Sequence, residues 1–188
     1  MTESDMEYQQ YIDRLHSNYA DTVIKAAHAL GDLGDRRAVP ILIDLLQTTP
    51  DPSIRNAAAV GLRELGDDSA LHPLIALIMS PKTEQHRGTL IYALEGFDSS
   101  PVLEVLVDLV ITGNFEVSHQ AFSVIESIET VVSEETLNRC LQNIHSVLPK
   151  CDKERTELLE ELIELLSEMK YQAECCPHSI QEDLSMNS

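Results

Sequence analysis

The chain has 188 residues and a formal charge of −19, with 13 Lys and Arg set against 32 Asp and Glu. Binding to phosphate backbones or anionic membrane surfaces rests on clustered Lys and Arg, so this composition excludes both classes of partner. It leaves a protein partner, one whose basic patch would speed encounter, although acidity of this kind also serves solubility alone. A hydrophobic share of 43%, aromatics at 4% and no Trp predict one domain with a core of Leu, Ile, Val and Ala.

Met1 to Tyr19 is polar throughout and does not read as a signal peptide. No apolar run approaches the roughly 20 residues of a membrane span, so the expected compartment is cytoplasmic. Within this first stretch Tyr8, Tyr11, Ile12 and Leu15 recur at helical spacing and predict a capping helix.

A repeat follows. Ala29-Leu-Gly-Asp-Leu-Gly-Asp35 returns 32 residues later as Gly61-Leu-Arg-Glu-Leu-Gly-Asp67. Behind each copy runs the same apolar pattern, with Leu42 matched by Leu74 and Leu45 by Leu77. The offset continues through Leu94, Phe97, Leu103, Leu106 and Leu109. A fourth copy, one residue short, carries Val117, Ala121, Ile125 and Ile128 without the glycines. A fixed period in this range marks a stack of supersecondary units that bury their apolar faces against their neighbours.

Inside each unit the apolar residues fall at steps of three and four, as in Ile54, Ala57, Ala58, Gly61, Leu62 and Leu65. Gly66 is placed to stop that helix, and Pro73 lies in the first turn of the next, where its missing N–H costs little. The predicted helices cover about 21–33 and 37–47, 53–65 and 69–79, 84–97 and 101–112, and 115–130 and 134–148, with ends good to a few residues. Repeats are thus expected over about 20–48, 52–80, 83–113 and 115–148. Leu158, Leu159, Leu162, Ile163, Leu165, Leu166 and Met169 predict a capping helix over about 153–171, its other face carrying Glu157, Glu160, Glu161, Glu164 and Glu168. From 172 to 188 the pattern dissolves into what reads as a mobile tail. The fold class is all-α, an α-α solenoid of about four helical hairpins within a domain 1–171.

No catalytic constellation emerges. Cys175-Cys176-Pro177-His178 offers two thiols and an imidazole, short of the four ligands of a structural zinc site, so neither a metal nor a cofactor is assigned. Cys140 falls on an apolar stripe and reads as a small buried hydrophobe. His86, Arg87 and His119 occupy nearby repeat positions on the predicted first helices of copies three and four, where they could line a pocket or stand as solvated surface groups. The second helices carry the remaining candidates for partner binding: Asp44, His72, Glu104, Asp108, Asn138 and Arg139. Pro40, His72 and Glu104 are repeat-equivalent, as are Asp44, Ala76 and Asp108, so these positions are expected to align along one face. Plain exposed polar positions would give the same pattern.

The units Ala26 to Leu42 and Ile54 to Leu71, with their Leu-Gly-Asp turns and early prolines, resemble HEAT repeats, and more narrowly the short bacterial variety named after the phycobilisome lyases. The match is good over 20–79, weaker over 83–112 and weakest over 115–148. This resemblance implies second helices that line a concave, protein-binding face, in a non-catalytic scaffold or adaptor. The alternative it implies is a phycobilin lyase or a chaperone of a tetrapyrrole cofactor. A DNA-binding glycosylase branch of such repeats is basic along its groove, which the charge here opposes.

Overall fold

The computed structural model describes residues 2–175, and every regular element among them is helical. The chain divides into two compact units between Ser99 and Ser100.

The first unit opens with α1 (Glu3–Leu15). Its start is fixed by a reciprocal cap: Asp5 N–H donates to Thr2 Oγ1 at 3.1 Å, and Thr2 N–H donates to Asp5 Oδ2 at 3.0 Å. Leu15 is buried, while Tyr8, Tyr11 and Ile12 are half-buried. Two hairpins follow, α2 (Ala20–Leu33) with α3 (Val39–Thr48), and α4 (Pro52–Leu65) with α5 (Leu71–Ile78). The first helix of each ends on a glycine in the left-handed region, Gly34 at φ 69° and Gly66 at φ 57°, as the repeat requires. Asp35 and Asp67, one period apart, then close the turns. Each accepts the backbone N–H two residues on, from Arg37 at 3.0 Å and from Ser69 at 3.1 Å.

The core of this unit lies where α2 packs on α4. Val23, Ala26, Ala27 and Leu30 meet Ala57, Ala58, Leu62 and Leu65, all buried. The small side chains bring the two backbones almost into contact. A Cβ added at Gly61 would stand 2.6 Å from the Ala27 carbonyl oxygen, and one at Gly31 would stand 2.8 Å from Gly61 Cα. On α5 the inward residues are Leu71, Leu74 and Ile78, with Ile75 and Leu77 half-buried.

The third copy departs from expectation. In place of one helix over 84–97 there is a short 3-10 turn at Pro81–Thr83, an α-helix α6 of only Gly88–Tyr92, and a 3-10 turn at Ala93–Gly96. Thr83 is buried and its hydroxyl bonds the carbonyl oxygens of Leu77 and Ser80, a local bond that competes with helix formation. Gly88 then opens α6, a residue of low helix propensity at the start of a short helix. His86 therefore lies in the turn before α6 rather than on a helix.

The second unit holds α7 (Leu103–Thr112), α8 (Phe115–Glu126), α9 (Glu134–Val147) and α10 (Lys153–Cys175). α7 packs against α8, α9 and α10. Its buried residues Leu103, Leu106, Val107 and Val110 share the core with Val117, Ala121, Ile125, Leu137, Ile144, Leu159, Leu162 and Leu166. α8 stops at Glu126, short of the expected 130. The Ser127 N–H turns back to the Ser123 and Val124 carbonyls, and the β-branched Thr130-Val131-Val132 that follows is a poor helix former. α10 extends four residues past its expected end, and its glutamates Glu157, Glu160, Glu161, Glu164 and Glu168 are all exposed. The cysteine cluster from Cys176 onward lies outside the described residues, with most of the tail expected from 172.

Candidate protein-binding face

The second helices of the two units carry the six candidate residues, and the structure treats them differently. In the first unit Asp44 on α3 and His72 on α5 are both exposed. The Asp44 backbone oxygen accepts from the Thr48 hydroxyl at 2.7 Å. No hydrogen bond joins Asp44 to His72.

In the second unit each of the other four is bonded to neighbouring side chains, in three separate sets. Arg139 on α9 reaches Glu104 on α7 with Nη2 at 2.7 Å and Nε at 3.1 Å from the same oxygen. Its Nη1 donates to Glu135, one turn earlier on α9, at 2.6 Å. These carboxylates, Glu104 first, raise the guanidinium pKa still further, so the charge is permanent. Asp108, one turn beyond Glu104, accepts from Asn143 Nδ2 at 2.7 Å. Asn138 accepts from the Lys170 ammonium of α10 at 2.9 Å, and Lys170 lies 3.5 Å from Glu134. The exposed pairs add little stability, since solvent screens them.

Between these residues opens a cleft of about 70 Å³, lined by Glu104, Val107, Asp108, Arg139, Cys140 and Asn143. Cys140 is buried, as its place on an apolar stripe predicted. Burial first, and then the Glu104 charge, push its thiol up to about 11, which leaves it protonated and unreactive at neutral pH. Asn143, Glu134, Glu135 and Lys170 take part in these contacts but were not among the sequence candidates. The signal was present: Glu135, Arg139 and Asn143 follow at steps of four on one face of α9.

A second cleft, of about 110 Å³, lies in the same unit where α8 and α10 begin, lined by Phe115, Ser118, His119, Asp152, Glu154, Arg155 and Leu158. His119, one of the pocket candidates, is part of it. Among the described residues no group of three His, Cys, Asp or Glu is placed to hold a metal ion, and no helix is long and apolar enough to cross a membrane.

Comparisons with known proteins bear on the fold and on part of the chain. The family model described as HEAT repeats matches residues 9–95. That stretch, a little under half of the chain, matches HEAT repeats, as the repeat pattern of the sequence predicted. The chain is also similar to the bilin biosynthesis protein PecE of Mastigocladus laminosus, with 33% identity over 82 residues. The match covers 43% of this chain and only 30% of that relative, so the chain spans less than a third of it. Among solved structures an engineered protein matches with a TM-score of 0.55 at 17% identity, covering 90% of this chain and 85% of its own. At that identity the likeness speaks for the fold alone, and it agrees with the all-α repeat architecture that the sequence predicts.

Proposed function

We propose that this protein is a non-catalytic HEAT-like scaffold that binds another protein through the exposed face of α7 and α9, with Glu104, Asp108, Asn138 and Arg139 at the centre of the contact. The observation that carries this reading is the pairing of α7 with α9, in which the exposed Glu104 and Asp108 each bond a side chain 35 residues away. The surroundings favour a basic partner: residues 100–175 contain five Lys or Arg against fifteen Asp or Glu. The unreactive Cys140 supports a binding role over covalent chemistry at this face. The test is capture of a partner from native lysate by the wild-type chain and by a Glu104→Lys, Asp108→Lys variant of equal melting temperature. A stoichiometric protein retained by the first and lost by the second is expected. Equal retention by both would remove this face from the function.

A second reading rests on the relative. The likeness of part of the chain to a bilin biosynthesis protein favours a role in handling a linear tetrapyrrole, as a lyase or a chaperone. An absorption band of a bound bilin, copurifying with the protein or appearing on titration, is the observation that would favour it over the scaffold.

A further inference from the structure

The second cleft takes no part in the contacts between α7 and α9. Phe115, the first residue of α8, is 66% exposed, which is high for a large apolar side chain. It is kept in place by His119, one turn on, whose ring centroid lies 4.0 Å away at an interplanar angle of 31°. His119 Nδ1 stands 2.8 Å from the Phe115 carbonyl oxygen. A carbonyl only accepts, so Nδ1 donates this bond, and Nε2 is the ring atom left facing a ligand, an acceptor when the ring is neutral.

Two carboxylates complete the rim. Asp152 spends one oxygen on the Arg155 N–H at 2.8 Å, and Glu154 is exposed with no hydrogen bond or ion pair among the described residues. Arg155, the cation of the cleft, is turned to the end of α7. Its guanidinium donates to the Gly113 carbonyl at 2.6 Å and to that of Val110. Arg155 thus caps α7 and leaves the carboxylates without a cation of their own.

We propose that this cleft is a socket for one arginine or lysine side chain of a protein partner, anchored by the exposed Phe115 face, His119 Nε2 and the Glu154 and Asp152 carboxylates. The aromatic face attracts a cation through the ring quadrupole, and the carboxylates add charge-assisted hydrogen bonds. A volume of about 110 Å³ holds a guanidinium or ammonium head with its last methylenes, at roughly 30 Å³ per displaced water. It is well below the roughly 300 Å³ at which sites for drug-sized ligands begin, so a tetrapyrrole does not fit this cleft. The proposal rests on the reading that the partner is a basic protein, and it supplies an anchor point outside the face already described.

The test uses the full chain and a labelled ten-residue peptide of alternating arginine and glycine, followed by fluorescence anisotropy at about 50 mM salt, where exposed charges are weakly screened. A citrulline peptide of the same length is the uncharged control. The wild type is expected to bind the arginine peptide and not the control. Phe115→Ala and Phe115→Leu should each weaken binding about threefold, and Glu154→Gln should weaken it further, with circular dichroism and melting temperature unchanged. The Phe115 variants remove no charge, so their loss cannot be general attraction to an acidic surface. Unchanged affinity in both overturns the socket. If a Glu104→Gln, Asp108→Asn variant alone loses the peptide, the binding face stands and the socket falls. If the wild type does not bind the peptide, the basic-partner reading falls with it.

Discussion

The near-contact of α2 and α4 gives the sharpest test of how the first unit is held together. Replacing Gly61 by Ala places a Cβ 2.6 Å from the Ala27 carbonyl oxygen and 3.2 Å from Leu42 Cδ1. Ordinary contact begins near 3.4 Å, so the helices must part locally by about 0.8 Å, and the obstacle is backbone that no rotamer change can move. Overpacking of this kind costs about 1–3 kcal/mol, against a gain of up to about 1 kcal/mol from the better helix propensity of Ala. The net loss is about 1–2 kcal/mol, a fall in melting temperature of about 5 °C for a chain of this size. Differential scanning calorimetry of Gly61→Ala should show that fall. Adding Ala27→Gly should not reverse it, because the clash is with the oxygen and not the side chain. Gly34→Ala is the contrasting case: nothing lies within 4 Å, and only the left-handed backbone at φ 69° opposes the change, at about 1 kcal/mol. A Gly61→Ala protein that melts at or above the wild-type temperature would refute the packing argument.

Other expectations follow from buried and charged groups. Leu65, 6% exposed, lines the core at the end of α4, and Leu65→Asp buries a carboxylate at a cost of several kcal/mol. Expression of that variant should give little folded protein, read from helical circular dichroism in the soluble fraction. Asp35 is held below its ordinary 3.8 by hydrogen bonds from Arg37, and Asp5 by Thr2 and then Arg37. A lowered folded-state value means the unfolded chain binds more protons in the acid range. The stabilisation is therefore complete above about pH 5 and is lost as pH falls through and below 3.8. Urea midpoints should fall between pH 5 and pH 3, and the fall should be shallower in an Asp35→Asn, Asp5→Asn variant. Cys140, its thiol pushed up to about 11, should resist iodoacetamide at pH 8 while the half-buried Cys151 is alkylated, as peptide mapping by mass spectrometry can establish.

Much of the fold was written in local signals. The 32-residue return of Leu-Gly-Asp placed Gly34 and Gly66 at helix ends and Asp35 and Asp67 in the turns, because those roles depend on a residue's own backbone and its near neighbours. The third copy was misread because the apolar positions kept their spacing while Thr83 found carbonyl partners that only the folded turn supplies. The candidate face was half legible. Helical period put Glu104, Asp108 and Arg139 on exposed second-helix positions and Asn138 on a half-buried one, but their pairing depends on how α7 and α9 lie side by side. The Phe115 cleft was less legible still. It is made by the starts of α8 and α10, nearly 40 residues apart, and nothing in either segment announces the other.

The turns of the first two hairpins have a kinetic consequence. Each is closed by a glycine and by an aspartate two residues from its donor, so forming it fixes little of the chain. The loop entropy to be overcome is small, and the contacts that follow between α3 and α4 are also near in sequence. Either hairpin can therefore serve as the starting point of folding, with the other added by propagation along the stack. Rapid refolding that tolerates the loss of either single turn is the behaviour this construction produces.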